Sequence, residues 1–318
     1  MSLESTSTRT LRLTAIRYAA EGIHLYDFTG PDGGPLPAYE PGAHIDLHLP
    51  DGLMRQYSLA RPWRADRAYQ VGVKLDPKTR GGSRWLHEQA RVGGLFQVGG
   101  PRNNFPLAED APHTVLIAGG IGVTPIWCMA QRLAEIGASF EMHYAVRSRA
   151  DAAFLHRLEA MSPPARLHVD EEMGGVLDVA AIAAAASPVA HLYCCGPAPM
   201  LEAFEEATAD RPEGYAHVEY FSAPALVPIE GGFVVALARD GRELVVQPGS
   251  TILETLRQAG LNVPASCEQG VCGTCETRVL EGVPDHRDLL LTPSEKASGK
   301  TMMICCSGAL SDRLVLDL

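Results

Sequence analysis

Four cysteines near the end of the chain carry its most readable chemistry. Cys267, Cys272 and Cys275 stand as C-x4-C-x2-C, and Cys305 follows after a long gap with Cys306 beside it. Thiolates at this spacing match the plant-type [2Fe–2S] pattern, whereas a zinc site more often uses two C-x2-C knuckles or Cys with His. A loop that holds three thiolates must turn sharply and offer backbone N–H groups to the bridging sulfides. Gly270 and Gly273, with the small Ser266 and Thr274, permit both. A zinc knuckle is the competing reading, and Cys305 and Cys306 compete for the place of fourth ligand. Met1 to Leu13 is polar and lacks an export signal, so a disulfide framework is not expected.

The residues around these cysteines predict a small mixed domain. Phe233 to Asp240 and Arg242 to Val246 flank Asp240-Gly241, a two-residue hairpin signal. Ser250 is expected to cap a short helix from Ile252 to Gln258, closed by Gly260. Arg313 to Leu318 alternates as a last strand.

The middle of the chain reads as a nucleotide-binding domain. His113 to Gly119 is an apolar run of buried-strand type, and Gly119-Gly-Ile-Gly-Val-Thr124 follows it. Thr124 is a natural N-cap, Pro125 suits the first helical position, and Gly137 stops the helix. Strand, glycine turn and helix together aim N–H groups and a positive helix end at a phosphate. The spacing is not G-x-G-x-x-G, so the usual dinucleotide fingerprint is absent. Two further strands strengthen the reading: Phe140 to Val146 runs into Arg147-Ser148-Arg149, and His191 to Cys195 runs into Gly196-Pro197. Ligand-type residues at three strand ends make a crevice. The competing readings are a solvated helix start for the arginines and an ordinary buried strand residue for Cys195.

Residues 11–75 alternate apolar and polar in short runs split by Gly, Pro and Asp, which predicts a small antiparallel barrel. Arg55-Gln-Tyr57-Ser58 puts a cation, a ring and a hydroxyl on one of its strands. Arg80-Gly81-Gly82-Ser83 precedes a helix expected from Arg84 to Ala90, a second candidate phosphate cradle.

Composition sets the outer bounds. The 318 residues are 46 % hydrophobic and 20 % charged, ordinary for a soluble chain of more than one domain. Net charge is −11, which argues against nucleic acid or an anionic membrane surface as partner. Residues 1–108 are the only basic third, with 13 Lys and Arg against 10 Asp and Glu; 109–225 hold 6 against 16, and 226–318 hold 8 against 12. The apolar-looking stretch from Val176 to Cys195 is broken by Asp178, Pro188 and His191, so no membrane span is expected, and a cytoplasmic location is.

Arg55-Gln-Tyr57-Ser58, the Gly119–Pro125 turn, Tyr193-Cys-Cys195-Gly196-Pro197 and the Cys267–Cys305 set, in that order, resemble the ferredoxin–NADP reductase superfamily. Within it the chain is similar to the phthalate dioxygenase reductase type, vanillate O-demethylase reductases included, which carries its ferredoxin last. The resemblance covers essentially the whole chain, Pro264 to Cys275 and Leu314 to Leu318 among it. It implies a multi-domain fold: an FMN-binding antiparallel β-barrel at 1–108, an NAD-binding α/β domain at 109–225, and an α+β ferredoxin-like (β-grasp) [2Fe–2S] domain at 226–318.

By the same resemblance, Arg55, Tyr57 and Ser58 hold the flavin. Gly81, Gly82 and Ser83 hold its phosphate, with Arg80 nearby and Lys74 a further contact. Gly120 and Thr124 line the nicotinamide cleft with Gly196 and Pro197 beside it, and Cys195 sits near the carbon that gives the hydride, so that Ser58 and Cys195 are the catalytic pair. Arg147, Ser148 and Arg149 meet the adenosine end, Phe221 lies against the flavin, and Cys305 completes the ligand set, with Cys306 a filler.

NADH gives two electrons at once and the cluster takes one, and FMN can exchange them in either number. The implied function is thus the reductase component of a Rieske-type oxygenase system acting on aromatic acids, O-demethylating ones included. Ser222 to Gly231 is a Pro-rich linker expected to tether the ferredoxin semi-rigidly. Two rival readings remain: a different acceptor, such as a di-iron monooxygenase or a cytochrome P450, and a non-catalytic nucleotide- and metal-binding module. Arg147 and Arg149 also leave NADPH open as the donor.

Overall fold

Short alternating strands build the first sheet in a computed structural model that describes residues 8–65, 68–77, 81–222 and 232–318. Its strands are β1 (Arg9–Ala20), β2 (Ile23–Thr29), β3 (Ala43–His48), β4 (Met54–Ser58), β5 (Tyr69–Lys74) and β6 (Leu95–Asn103). They pair antiparallel in the order β4-β3-β6-β1-β2-β5. An antiparallel bridge from Leu59 to Val71 joins the two edges, so the sheet curls into the expected barrel and leaves little open edge. Leu13, Tyr26, Phe28, Ile45 and Leu47 fill its inside.

Helix α1 (Gly82–Gln89) bridges β5 and β6. It begins two residues before the expected Arg84, because Gly81 turns the chain at φ +100° and lets Gly82 and Ser83 enter the first turn.

Continuous apolar runs with little alternation form the three central strands of the second sheet, buried on both faces. It comprises β7 (Thr114–Gly119), β8 (Phe140–Val146), β9 (Arg166–Val169), β10 (His191–Cys195) and β11 (Ala216–Glu219), all parallel, in the order β11-β10-β7-β8-β9. The helices are α2 (Val123–Ile136), α3 (Leu155–Glu159), α4 (Asp170–Met173), α5 (Val179–Ala185) and α6 (Ala198–Thr208). The chain leaves β7 for β8 and β9, then returns to the other side of β7 as β10. Strand order therefore reverses between β7 and β10, and a doubly wound sheet takes its ligand at the carboxyl ends of such a pair.

Thr124 does not cap α2 as expected. A 3-10 turn at Gly120–Gly122 runs straight into the helix, Gly122 takes the cap position, and the Thr124 hydroxyl donates to Ile121 O at 3.1 Å. The helix does end on Gly137, at φ +68°.

Barrel and parallel sheet share one core. Ile23, Leu25, Ala60 and Phe105 pack in the same cluster as Val123 and Trp127 of α2, and residues 1–219 accordingly form one compact unit.

Residues 220–318 form the other unit. Its elements are β12 (Phe233–Leu237), β13 (Glu243–Val246), α7 (Ile252–Gln258), β14 (Glu276–Glu281), β15 (Pro284–Asp285), α8 (Pro293–Ser298), β16 (Thr301–Met303), β17 (Gly308–Ala309) and β18 (Arg313–Leu316). The Asp240-Gly241 turn joins β12 to β13, and β18 inserts parallel to β12 between it and β14. Helix α7 has the expected bounds but a different cap. Thr251, not Ser250, accepts from Glu254 N–H at 3.1 Å while Glu254 reaches back to Thr251 N–H at 2.9 Å, a reciprocal box that Ser250 has no acidic partner to form.

Among the described residues no helix is long and apolar enough to cross a membrane. Arg80, residues 223–231 of the expected linker and the expected boundary at 225–226 lie outside the described residues.

Candidate active site and cluster loop

Strand β4 carries Arg55, Tyr57 and Ser58 toward two different places. The Arg55 side chain folds over the start of α1: a Cβ added to Gly82 would sit 2.6 Å from Arg55 Cγ and 2.9 Å from its Nε. Only glycine lets this cation lie against the helix end. Backbone N–H groups of Gly82 and Ser83, the helix dipole and a guanidinium therefore share one spot, which fits a phosphate. Asp76 N–H donates to Ser83 Oγ at 3.2 Å. Lys74 ends β5 exposed, two residues before Asp76. Tyr57 is half-buried, and burial pushes its hydroxyl well above the usual tyrosine range.

Ser58 is buried and points the other way. Its Oγ donates to Glu219 Oε2 at 3.3 Å, and the Cys195 thiol reaches the same oxygen at 3.9 Å. Parallel pairing puts Cys195 opposite Glu219 at the carboxyl ends of β10 and β11. Barrel closure brings Ser58 to them across 161 residues of sequence. The Glu219 residue is half-buried but its carboxyl is enclosed, and desolvation lifts its pKa from 4.5 to about 8 despite the Ser58 and Cys195 hydrogen bonds. At neutral pH this carboxyl holds its proton. Burial, with the nearby Glu219, likewise keeps Cys195 a neutral thiol rather than a nucleophilic thiolate.

Sequence reasoning missed Glu219. A lone Glu in a four-residue strand has no spacing to betray it; its place at a strand end beside the Cys195 strand was the one available signal.

The raised Glu219 pKa has a consequence for stability. The folded chain keeps this proton up to about pH 8, while the unfolded chain loses it near 4.5. Its contribution is full below 4.5 and is lost as pH rises through 8. Urea midpoints of the native protein should therefore fall relative to those of Glu219→Gln across that window. Parallel profiles for the two proteins would contradict the enclosed carboxyl.

The turn after β7 is built on contact rather than on open glycine freedom. A Cβ on Gly122 would meet Cys195 O at 2.2 Å and Gly196 N at 2.9 Å, and one on Gly119 would meet Pro197 Cδ at 2.6 Å. These glycines let the ends of β7 and β10 touch, so the Gly119–Gly122 turn stands beside Cys195, Gly196 and Pro197. Thr124 stands at its edge on the barrel side, where a Cβ on Gly72 of β5 would come within 2.7 Å of its methyl group. At the end of β8, Arg147, Ser148 and Arg149 are assembled together, each beside a carboxylate: Glu171, Asp151 and Glu172 respectively.

In the second unit the four thiols are linked in pairs. Cys267 hydrogen-bonds with Cys272 and Cys305, and Cys305 with Cys275. Gln269 N–H donates to Cys267 Sγ at 3.3 Å, the kind of contact that favours thiolate in a cluster loop. The loop bends through positive φ at Glu268, Gly270 and Gly273. Among the described residues no three His, Cys, Asp or Glu side chains close around a single ion; the thiols are joined pairwise instead. The Cys306 sulfur meets Cys305 but lies against Gly270, 2.5 Å from where a Cβ would be, and donates to Met303 O at 3.7 Å. Phe221, in the same unit, is exposed.

Comparison with known proteins agrees with this division. Residues 116–206 match an oxidoreductase NAD-binding domain and residues 235–310 a 2Fe-2S iron-sulfur cluster binding domain. The chain is 52 % identical to the phenoxybenzoate dioxygenase subunit beta of Ectopseudomonas oleovorans, over 97 % of both chains. It is similar to an intact type IV self-sufficient cytochrome P450 monooxygenase, with TM-score 0.90 and 41 % identity over 98 % of this chain and 41 % of that one. It is similar end to end to phthalate dioxygenase reductase, described as a modular structure for electron transfer from pyridine nucleotides to [2Fe–2S]. There the TM-score is 0.73, with 34 % identity over 100 % of both chains. With a curled antiparallel sheet, a parallel nucleotide sheet and a C-terminal cluster loop matched along its whole length, the chain belongs to the phthalate dioxygenase reductase family.

Proposed function

We propose that this protein is the NADH-dependent reductase component of an oxygenase system, and that its acceptor is a Rieske-type terminal oxygenase. The observation that carries the reading is the meeting of Ser58, Cys195 and Glu219, which joins the barrel to the dinucleotide crevice at one reactive face. We place its working domains at 1–108, 109–225 and 226–318.

FMN, when bound, supplies the step between a donor of electron pairs and an acceptor of single electrons. Arg55, Gly81, Gly82 and Ser83 hold its phosphate; Tyr57 and Ser58 hold its ring system. Gly120, Thr124, Gly196 and Pro197 position NADH along the ends of β7 and β10, and Arg147 to Arg149 flank its adenosine. Neither Cys195 nor Ser58 is asked to ionise. The buried thiol gives a soft wall, and Ser58 Oγ is held in place by the Glu219 carboxyl, which keeps a proton at neutral pH. Cys267, Cys272, Cys275 and Cys305 hold the [2Fe–2S] cluster, and Cys306 packs behind Gly270.

A cytochrome P450 acceptor is the second reading, favoured by the likeness to the self-sufficient monooxygenase. The acceptor is tested by mixing NADH-reduced protein anaerobically with a purified Rieske oxygenase or a purified P450. Reduction of the Rieske cluster supports the proposal, and reduction of the P450 haem with the Rieske cluster left oxidised would replace it by the second reading.

A further inference from the structure

The end of the second strand is where a dinucleotide sheet reads the adenosine ribose: an acidic side chain there suits the 2′-hydroxyl of NAD, an arginine the 2′-phosphate of NADP. The chain places Arg147-Ser148-Arg149 directly after β8, a phosphate-binding set by residue type. The partners of those residues reverse that meaning.

Arg149 Nε and Nη2 donate to the two carboxylate oxygens of Glu172 at 2.9 and 2.8 Å, so the fork that would grip a phosphate is taken. Arg147 Nε lies 3.8 Å from Glu171 Oε1, and Glu171 N–H donates to Arg147 O at 3.2 Å. The Ser148 hydroxyl donates to Asp151 Oδ2 at 2.8 Å. Strand pairing fixes the match, because Val146 lies opposite Val169 in the β8–β9 register and α4, with both glutamates, starts at the next residue. Two cations therefore stand among three carboxylates, Asp151, Glu171 and Glu172. A 2′-phosphate, carrying roughly −1.5 to −2 charges near pH 7, would have to break these pairs and enter a site already net negative. An unphosphorylated ribose meets neither obstacle.

We propose that Glu171 and Glu172 determine the choice of dinucleotide, by engaging Arg147 and Arg149 so that NADH is accepted and NADPH rejected. The inference rests on the reading of the parallel sheet as the NADH site. All four side chains are substantially exposed, so substitution there leaves the core intact.

The test is calorimetric titration of the holoprotein with 5′-AMP and with 2′,5′-ADP, which differ in the 2′-phosphate. The expected result is that Glu171→Gln with Glu172→Gln raises the ratio of 2′,5′-ADP affinity to 5′-AMP affinity about tenfold, given two freed arginines and two fewer repelling charges. The gain should shrink as salt is added, and Glu171→Asp with Glu172→Asp should keep the native ratio. A ratio that stays at the native value in the Gln variant, with 5′-AMP still bound, would overturn the inference while leaving the nucleotide site standing. Failure of the native protein to bind 5′-AMP at all would overturn the site and the inference together.

Discussion

Replacing Cys305 by serine is expected to strip the cluster, while replacing Cys306 by serine leaves it in place. The two residues are adjacent and both buried, so neither spacing nor burial distinguishes them. Their contacts differ: the Cys305 thiol bonds with Cys267 and Cys275 as well as with Cys306, whereas the Cys306 sulfur reaches only Cys305 of the four and otherwise rests on Gly270 and donates to Met303 O. Changes to the outer partners of a metal centre typically cost about 10–100-fold in affinity or activity, so loss of a ligand should cost more. Iron and acid-labile sulfide content of the purified Cys305→Ser protein should fall to near zero. NADH oxidation with ferricyanide should persist, because the residues proposed for nucleotide and flavin, Phe221 apart, lie in the other compact unit. Full iron content in Cys305→Ser, or its loss in Cys306→Ser, would reverse the assignment.

Gly122→Ala is expected to be far more damaging than Gly120→Ala, the opposite of what backbone angles suggest. Gly120 adopts φ +53°, yet a Cβ there meets nothing within 4 Å, so alanine costs on the order of 1 kcal/mol of left-handed strain. Gly122 has an ordinary helical φ of −59°, but its Cβ would lie 2.2 Å from Cys195 O and 2.5 Å from the carbonyl carbon. Those are backbone atoms and have no rotamer to escape into. Either β10 or the turn must move, at a cost of about 1–3 kcal/mol for overpacking, and the crevice between β7 and β10 opens. The KM for NADH should rise by at least about tenfold in Gly122→Ala, an effect worth about 1.4 kcal/mol, and change little in Gly120→Ala. Equal effects of the two substitutions would show that close approach of the strands does not shape the crevice.

These contrasts mark where the sequence was legible. Alternating runs such as Tyr69 to Lys74 and apolar runs such as Phe140 to Val146 declare their strands, since side-chain period and burial on one or two faces leave a direct pattern. The cysteine spacing declares the cluster loop, because three of the cysteines fall in one stretch of nine residues. Helix starts were less legible. Thr124 and Ser250 are good caps by type, but a 3-10 turn displaced one, and Thr251, with Glu254 three residues on, displaced the other.

Least legible were the groups that act across strands. Glu219 meets Ser58 through closure of the barrel, and Glu171 and Glu172 meet the arginines through a strand register. Such pairs share no local spacing, so they become visible only when the sheets are assembled.

The central claim is that NADH, flavin and cluster form one electron chain in this protein. The anaerobic absorbance spectrum of the purified protein, recorded before and after one equivalent of NADH, tests this. Flavin and iron–sulfur bands should both be present and bleach together on adding NADH. A protein reconstituted with flavin, iron and sulfide that shows neither band, or bands that NADH leaves unchanged, would contradict it.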